Sequence, residues 1–291
     1  MSIYNSYFQF LYDQLLNYEG ERAYREVLVP ELGLAQRTMD SLKACGDIQA
    51  RHLLTENILT DLWELYALSR VSDILLLPFQ QGDYDGSEWP GPNLTSDERE
   101  SYFVALGMRV IERNTFHPFF HEIVKVEQST DPAEPISIHE VFWSGFMLGS
   151  LLVCRAGVGV RGGQNYINKE IAETSTMYFT FRRRNRPVDD LSHGWGSNSQ
   201  WRTKFRRDYT DEYNFYYNVD AGIHANRHPI EDFPNTSARD LSGEEKVELL
   251  VNRCFIVSEI PQGRQWPYGE TFSETMPAVD LTESHHLEHN S

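Results

Sequence analysis

The apolar residues of this chain change their spacing once, near residue 120, and that change constrains the fold more than any single motif. Before it they recur at three and four residues. Tyr4, Phe8, Leu11 and Leu15 form one such stripe; Ile58, Leu62, Leu65 and Tyr66 form another within a segment from about Asp47 to Ser69. Residues so spaced share one face of a helix. Pro30 and the Gly33 region interrupt the pattern, and Leu75 to Phe79 is too short and uniformly apolar to assign. Gln80 to Ser96 mixes Gly, Pro and acids and reads as a loop. Ser96 followed by Asp97, Glu98, Arg99 and Glu100 predicts an N-cap and an acidic first turn, opening a helix to about Glu112.

After residue 120 the segments are short and β-branched or alternating. Ile123 to Val126, Thr176 to Arg182, Tyr213 to Asp220 and Cys254 to Ile260 are expected strands, and Ser242 introduces a helix over Glu244 to Asn252. The expectation is an α+β fold, an N-terminal helical bundle packed on a mainly antiparallel C-terminal sheet. Residues 1–115 supply the helical part, residues 116–270 the sheet-rich part of one integrated domain, and residues 271–291 an irregular tail.

Composition narrows the function classes. The chain has 291 residues, 40% of them apolar and 13% aromatic, enough for a sizeable core. Its longest apolar runs, Asp73 to Phe79 and Phe146 to Cys154, fall well short of the roughly 18 residues that span a bilayer, so no membrane association is expected. Met1 to Leu16 lacks the charge and apolar run of a secretory signal, which makes the cytoplasm the expected location of a soluble protein. Cys45, Cys154 and Cys254 are odd in number, far apart and in apolar surroundings, which points to reduced core thiols rather than a disulfide framework or a nucleophile. A net charge of −17 argues against general nucleic-acid binding, because phosphate affinity comes chiefly from Lys and Arg. An acidic surface suits attraction of a basic protein partner instead.

Against that background, residues 181–207 form a basic island. Arg182, Arg183, Arg184, Arg186, Arg202, Lys204, Arg206 and Arg207 face only Asp189 and Asp190, a local charge of +6. Clustered cations repel one another unless water, internal carboxylates or an anionic partner relieves them. In the expected strand from Thr176, Met177, Phe179 and Phe181 take one face and Tyr178, Thr180, Arg182 and Arg184 the other. In the strand from Tyr213, Asn214, Tyr216, Asn218 and Asp220 form the polar face. If the two strands pair, these faces make one wall of Arg, Tyr and Asn. The loop between them offers Gly194 and Gly196, the polar Ser192, Ser197, Asn198 and Ser199, and the flat rings of Trp195 and Trp201.

Two readings follow. In one, the island binds a small phosphorylated or carboxylated ligand through Arg182, Arg184, Arg202, Arg206 and Arg207, with Trp195, Ser197, Asn198 and Trp201 completing the site and His193 an acid or base oriented by Asp189 or Asp190. In the other, the arginines pair with the 23 acids of residues 1–150 and clamp sheet to bundle.

Weaker patterns need weighing. Gly157, Gly159 and Gly162 match G-x-G-x-x-G after an apolar run, the order of a dinucleotide-binding turn, but repeated strand and helix units do not follow, so a turn between strands is expected and no cofactor. His117, His121 and Glu122, with His139 and Glu140, have zinc-like spacing, yet Pro118 disfavours the helix that would align them, and no metal is expected. His224 and His228 read as polar loop residues. G-x-S-x-G, P-loop and H-E-x-x-H signatures are absent. The expected function is therefore that of a non-catalytic, acidic partner-binding protein of the immunity or inhibitor type. The alternative is an enzyme or ligand-binding domain using residues 182–207.

Overall fold

The computed structural model describes residues 6–83, 89–189, 201–225, 241–258 and 266–276. Helices dominate the first hundred residues and strands the rest, as an α+β chain requires. Helix α1 (Tyr7–Leu16) starts at Ser6, whose hydroxyl accepts from the Gln9 amide, and it buries the Phe8, Leu11 and Leu15 stripe. Helix α2 (Val29–Leu42) follows a π-helical turn over Tyr24–Leu28. Pro30 does not break it. Helical backbone is already under way at Pro30, and the wide turn ahead of it, closed by the Val29 amide on the Tyr24 carbonyl, accommodates a residue that has no N–H to give.

Helix α3 (Glu56–Ile74) begins later and runs further than its periodicity predicts, because Ile48–His52 form a separate 3-10 turn and Thr55 caps Glu56–Ile74. From Glu64 onward nearly every face of α3 is buried, so it is the central helix. Helix α4 (Ser96–Ala105) is capped by Thr95 in a reciprocal box with Glu98, one residue before the expected cap. It ends at Ala105 rather than near Glu112, since Gly107 takes φ 85° and turns the chain into a strand. Helices α5 (Lys169–Thr174) and α6 (Gly243–Asn252) complete the set; Ser242 and Glu245 form the capping box of α6.

The strands are β1 (Arg109–Val110), β2 (His121–Gln128), β3 (Ser137–Trp143), β4 (Phe146–Leu148), β5 (Leu151–Cys154), β6 (Ala156–Gly162), β7 (Met177–Tyr178), β8 (Val188–Asp189), β9 (Tyr209–Thr210), β10 (Asn214–Tyr217), β11 (Ile223–His224) and β12 (Glu270–Thr275). Seven form a sheet in the order β1-β4-β5-β9-β10-β12-β11, antiparallel except at β11-β12. A second sheet runs β2-β6-β3, and β7 pairs with β8. One apolar cluster joins Phe8, Leu65 and Phe103 of the helices to Phe146, Leu151 and Tyr209 of the large sheet.

Several expectations are corrected. The segment from Thr176 is a strand only over Met177–Tyr178, because Phe179 and Arg182 take left-handed φ values of 61° and 54° and destroy the alternation. It does not pair with β10, whose neighbours are β9 and β12. Residues 271–275, read as the start of an irregular tail, form most of β12. No strand follows Cys254 among the described residues; instead the Glu248 carboxylate accepts from the amides of Ile256 and Val257 at 2.6 and 2.7 Å. Gly157, Gly159 and Gly162 are neither a phosphate turn nor a turn at all. They lie in β6, where a Cβ on Gly157 would come within 2.1 Å of the Trp143 ring. Among the described residues, no helix is long and apolar enough to cross a membrane.

Candidate functional site

Four arginines of the basic island turn inward. Arg183 lies between α3 and β2, with Nη1 2.8 Å from Asp73 and Nε and Nη2 2.7 and 3.2 Å from the two oxygens of Glu122. Asp73 also accepts from the Phe181 amide at 2.7 Å, which holds the left-handed turn against α3. Burial pushes the Asp73 carboxyl above its ordinary value despite Arg183. Burial pushes Glu122 up as well, but Arg183, aided by Arg186 and Arg155, more than offsets it and keeps Glu122 below the usual range. Arg186 donates to the Ile123 carbonyl and Asn185 to the Val124 carbonyl at 2.8 Å, so this segment covers the open edge of β2.

Arg206 and Arg207, both assigned to a ligand by the sequence, are buried and committed to the fold. Arg206 donates to Asp208 at 2.8 Å, to the Tyr178 hydroxyl and to the Leu250 carbonyl at the end of α6. Arg155 donates to the Val251 carbonyl at 2.8 Å and Arg253 to Asp208 at 3.1 Å. The guanidiniums thus serve carbonyls that a helix C-terminus leaves without intrahelical partners. Burial raises Asp208, and Arg206, Arg253 and Arg155 together overcome it and hold the carboxyl below its ordinary range. Arg207 binds Asp220 at 2.9 and 2.5 Å and reaches the Ala50 and Leu53 carbonyls at 2.7 and 3.1 Å, tying the 3-10 turn of the bundle to the sheet.

Arg182 and Arg184 lie apart from these. Arg182 stands over the rings of Trp89 and Phe181, and Arg184 donates to the Trp89 carbonyl at 2.6 Å. Trp201 packs edge-on to Tyr12 and covers the guanidinium of Arg70 at 4.5 Å, so its ring serves the core contact of α1 and α3. Asp190, His193, Trp195, Ser197 and Asn198 lie outside the described residues.

What remains is Arg202 and Lys204. All of 202–206 lines a cavity of about 360 Å³, with Arg202, Lys204 and Arg206 as its cations. Arg202 and Lys204 are exposed and make no ion pair among the described residues, although the Arg202 guanidinium stands over the Trp63 ring of α3 at 5.7 Å. Asn218 and Asp220 supply acceptors, while Tyr178, Phe179, Phe205 and Tyr268 supply aromatic surface. Tyr178, Asn218 and Asp220 were expected on polar strand faces, but the strand expected over Tyr213–Asp220 is only Asn214–Tyr217; Asn218 turns at φ 52°, and the three residues meet through the 202–206 segment. Tyr268 carried no sequence signal: it lies far along the chain, in a short turn before β12.

The remaining candidates are structural. The His117 amide donates to His121 Nδ1 at 3.0 Å, and the His117 ring lies 4.2 Å from that of Phe215. Burial, with nearby Arg113, lowers His117 to about 3; burial lowers His121 to about 4. Glu122 is taken by Arg183, and no cluster of three metal-ligating side chains occurs among the described residues. All three cysteines are buried, and burial pushes the Cys45 thiol up to about 12. No family model, curated protein or solved structure matches this chain.

Proposed function

We propose that this chain binds a small anionic molecule in the cleft formed by residues 202–206 with Tyr178, Asn218, Asp220 and Tyr268. One observation carries the reading. On a chain of net charge −17, Arg202 and Lys204 stand exposed beside a cavity of about 360 Å³ without a carboxylate partner among the described residues, while the adjacent Arg206 and Arg207 are buried in ion pairs. Two neighbouring cations that the fold does not neutralise are relieved by an anionic ligand, and the volume falls in the range of small-molecule sites.

The test is thermal melting of wild type and Lys204→Met with phosphates, sulfate and dicarboxylates. A ligand at about 100 times its dissociation constant adds about 2.7 kcal/mol. The expected result is a shift in wild type that Lys204→Met abolishes, with the unliganded variant melting as wild type does, since Lys204 is exposed. Absence of a shift with every anion removes the reading. Arg206 is the wrong residue to change, because its loss strands Asp208 whether or not a ligand binds.

A second reading, the acidic partner-binding protein, is favoured by a different observation. Eight arginines and only five carboxylates are buried among the described residues, a surplus of +3 that leaves the rest of the chain at −20. Such a surface accelerates encounter with a basic protein. Its association rate with a basic partner then falls as salt rises; a salt-independent rate counts against it.

A further inference from the structure

Within this cleft the polar groups are sorted by depth. The 202–206 segment descends from exposed Arg202 and Lys204 to buried Phe205 and Arg206. At the floor, Arg206 Nε and the Asn218 amide both reach Asp208 Oδ1 at 2.8 Å, so these residues share one fixed anchor. Asn218 is held at φ 52°, and its Nδ2 donates to the Tyr268 and Glu270 carbonyls at 3.1 and 2.9 Å. Both donors of that amide are therefore engaged, and its Oδ1 accepts no hydrogen bond among the described residues. Asp220 accepts from Arg207 through both oxygens, and each carboxylate oxygen retains a second lone pair. Arg206 at the floor is met by Asp208, so what the floor leaves over is acceptors, whereas the mouth presents cations without a carboxylate. Between them stand the half-buried rings of Phe179 and Tyr268; Tyr178 itself is buried, stacked on Trp266 at 5.2 Å and 15° with the Arg206 guanidinium over its ring at 5.3 Å.

This arrangement orients a ligand. An anionic group at the floor would meet Asp220 and the Asn218 carbonyl, with Arg207 wholly buried behind them, so the anion belongs at the mouth. Two cations there suit a dianion better than a single carboxylate. Donors on the ligand belong at the floor, and a planar body belongs between the rings.

Resting on the anion-binding reading, we propose that the ligand is of the nucleoside monophosphate class. The phosphate lies at Arg202 and Lys204, the base lies against Phe179 and Tyr268, and its N–H or the sugar O–H groups donate to Asn218 Oδ1 and Asp220.

Isothermal titration of the full chain with adenosine 5′-monophosphate, adenosine, ribose 5-phosphate, phenyl phosphate and inorganic phosphate tests this. The nucleotide is expected to bind at least about tenfold tighter than each fragment, because only it engages mouth, walls and floor together. Tyr268→Ala is expected to bring the nucleotide down to the affinity of ribose 5-phosphate. Should that variant misfold, the ligand series on wild type still decides. Equal affinities for the nucleotide, phenyl phosphate and inorganic phosphate overturn the nucleotide assignment and leave an anion site. No binding by any phosphate, with Lys204→Met indistinguishable from wild type, overturns both.

Discussion

Replacing Arg183 by Met tests whether the basic island is a clamp. The change removes a guanidinium that is 3% exposed and strands Asp73 on α3 and Glu122 on β2, which are 8% and 5% exposed. Removing one partner of a buried pair costs about 3–5 kcal/mol, because the charge left behind has lost its water and its counterion. The stranded carboxylates have one escape. Each can bind a proton, at a cost of about 4 kcal/mol at pH 7 for a carboxyl of ordinary pKa. Neutralising both sets a ceiling of about 8 kcal/mol.

With an unfolding entropy of about 2.1 cal/mol/K per residue, a loss of 3–5 kcal/mol lowers the melting temperature by about 5–8 °C. The escape leaves a signature in urea denaturation followed by circular dichroism. A folded variant that holds extra protons binds more of them than its unfolded chain between pH 5 and 7. Its deficit therefore shrinks on acidification, by about 1.4 kcal/mol per pH unit per proton. Adding Asp73→Asn and Glu122→Gln to the variant restores most of the loss at pH 7. A deficit below about 1 kcal/mol, independent of pH, refutes the reasoning, since that is how a solvated surface pair behaves.

Other predictions follow from the same contacts. Gly157→Ala places a methyl 2.1 Å from the Trp143 ring and is expected to cost about 1–3 kcal/mol or more, whereas Gly222→Ala, with no atom within 4 Å, stays near neutral; matched urea midpoints decide. Because His117 and His121 have values of about 3 and 4 in the folded state, below the ordinary 6.5, the contribution of their neutral rings is whole above about pH 6.5 and lost as the pH falls. From pH 6.5 to 5 this removes up to about 2 kcal/mol for His121, and less for the more exposed His117. His121→Gln is expected to flatten that slope substantially, and an unaltered slope counts against the assignment.

The fold class was legible because it depends on period, and period is local. The α1 stripe and the Ser242 cap of α6 rest on neighbours three and four residues apart. Partners were not legible. The Phe181 amide meets Asp73 across 108 residues, and Arg207 meets the Ala50 carbonyl across 157. Charge alone could not say that Arg202 stays exposed while Arg206 is buried in an ion pair. Nor does the sequence distinguish a glycine needed for a turn from one needed beneath a ring, as at Gly157. The left-handed residues Phe179 and Arg182 are non-glycine, so nothing in their chemistry announced the break in the expected strand.

Arg183, Arg206 and Arg207 occupy positions that demand several donors in fixed directions, toward two carboxylates or toward a carboxylate and backbone carbonyls together. A guanidinium meets that demand, and the compact ammonium of lysine does not. The island's single lysine stands at an exposed position of the cleft, where no described group constrains its direction. Arg183, Arg206 and Arg207 inside, with Lys204 outside beside the exposed Arg202, is the division expected if the buried cations hold the framework and the exposed ones meet a ligand. Lys204→Arg then keeps anion binding, because only a charge is needed there, while Arg207→Lys loses stability despite keeping its charge, because Asp220 and the carbonyls of Ala50 and Leu53 require the fork. If Arg207→Lys melts with wild type, geometry is not what distinguishes the two sets.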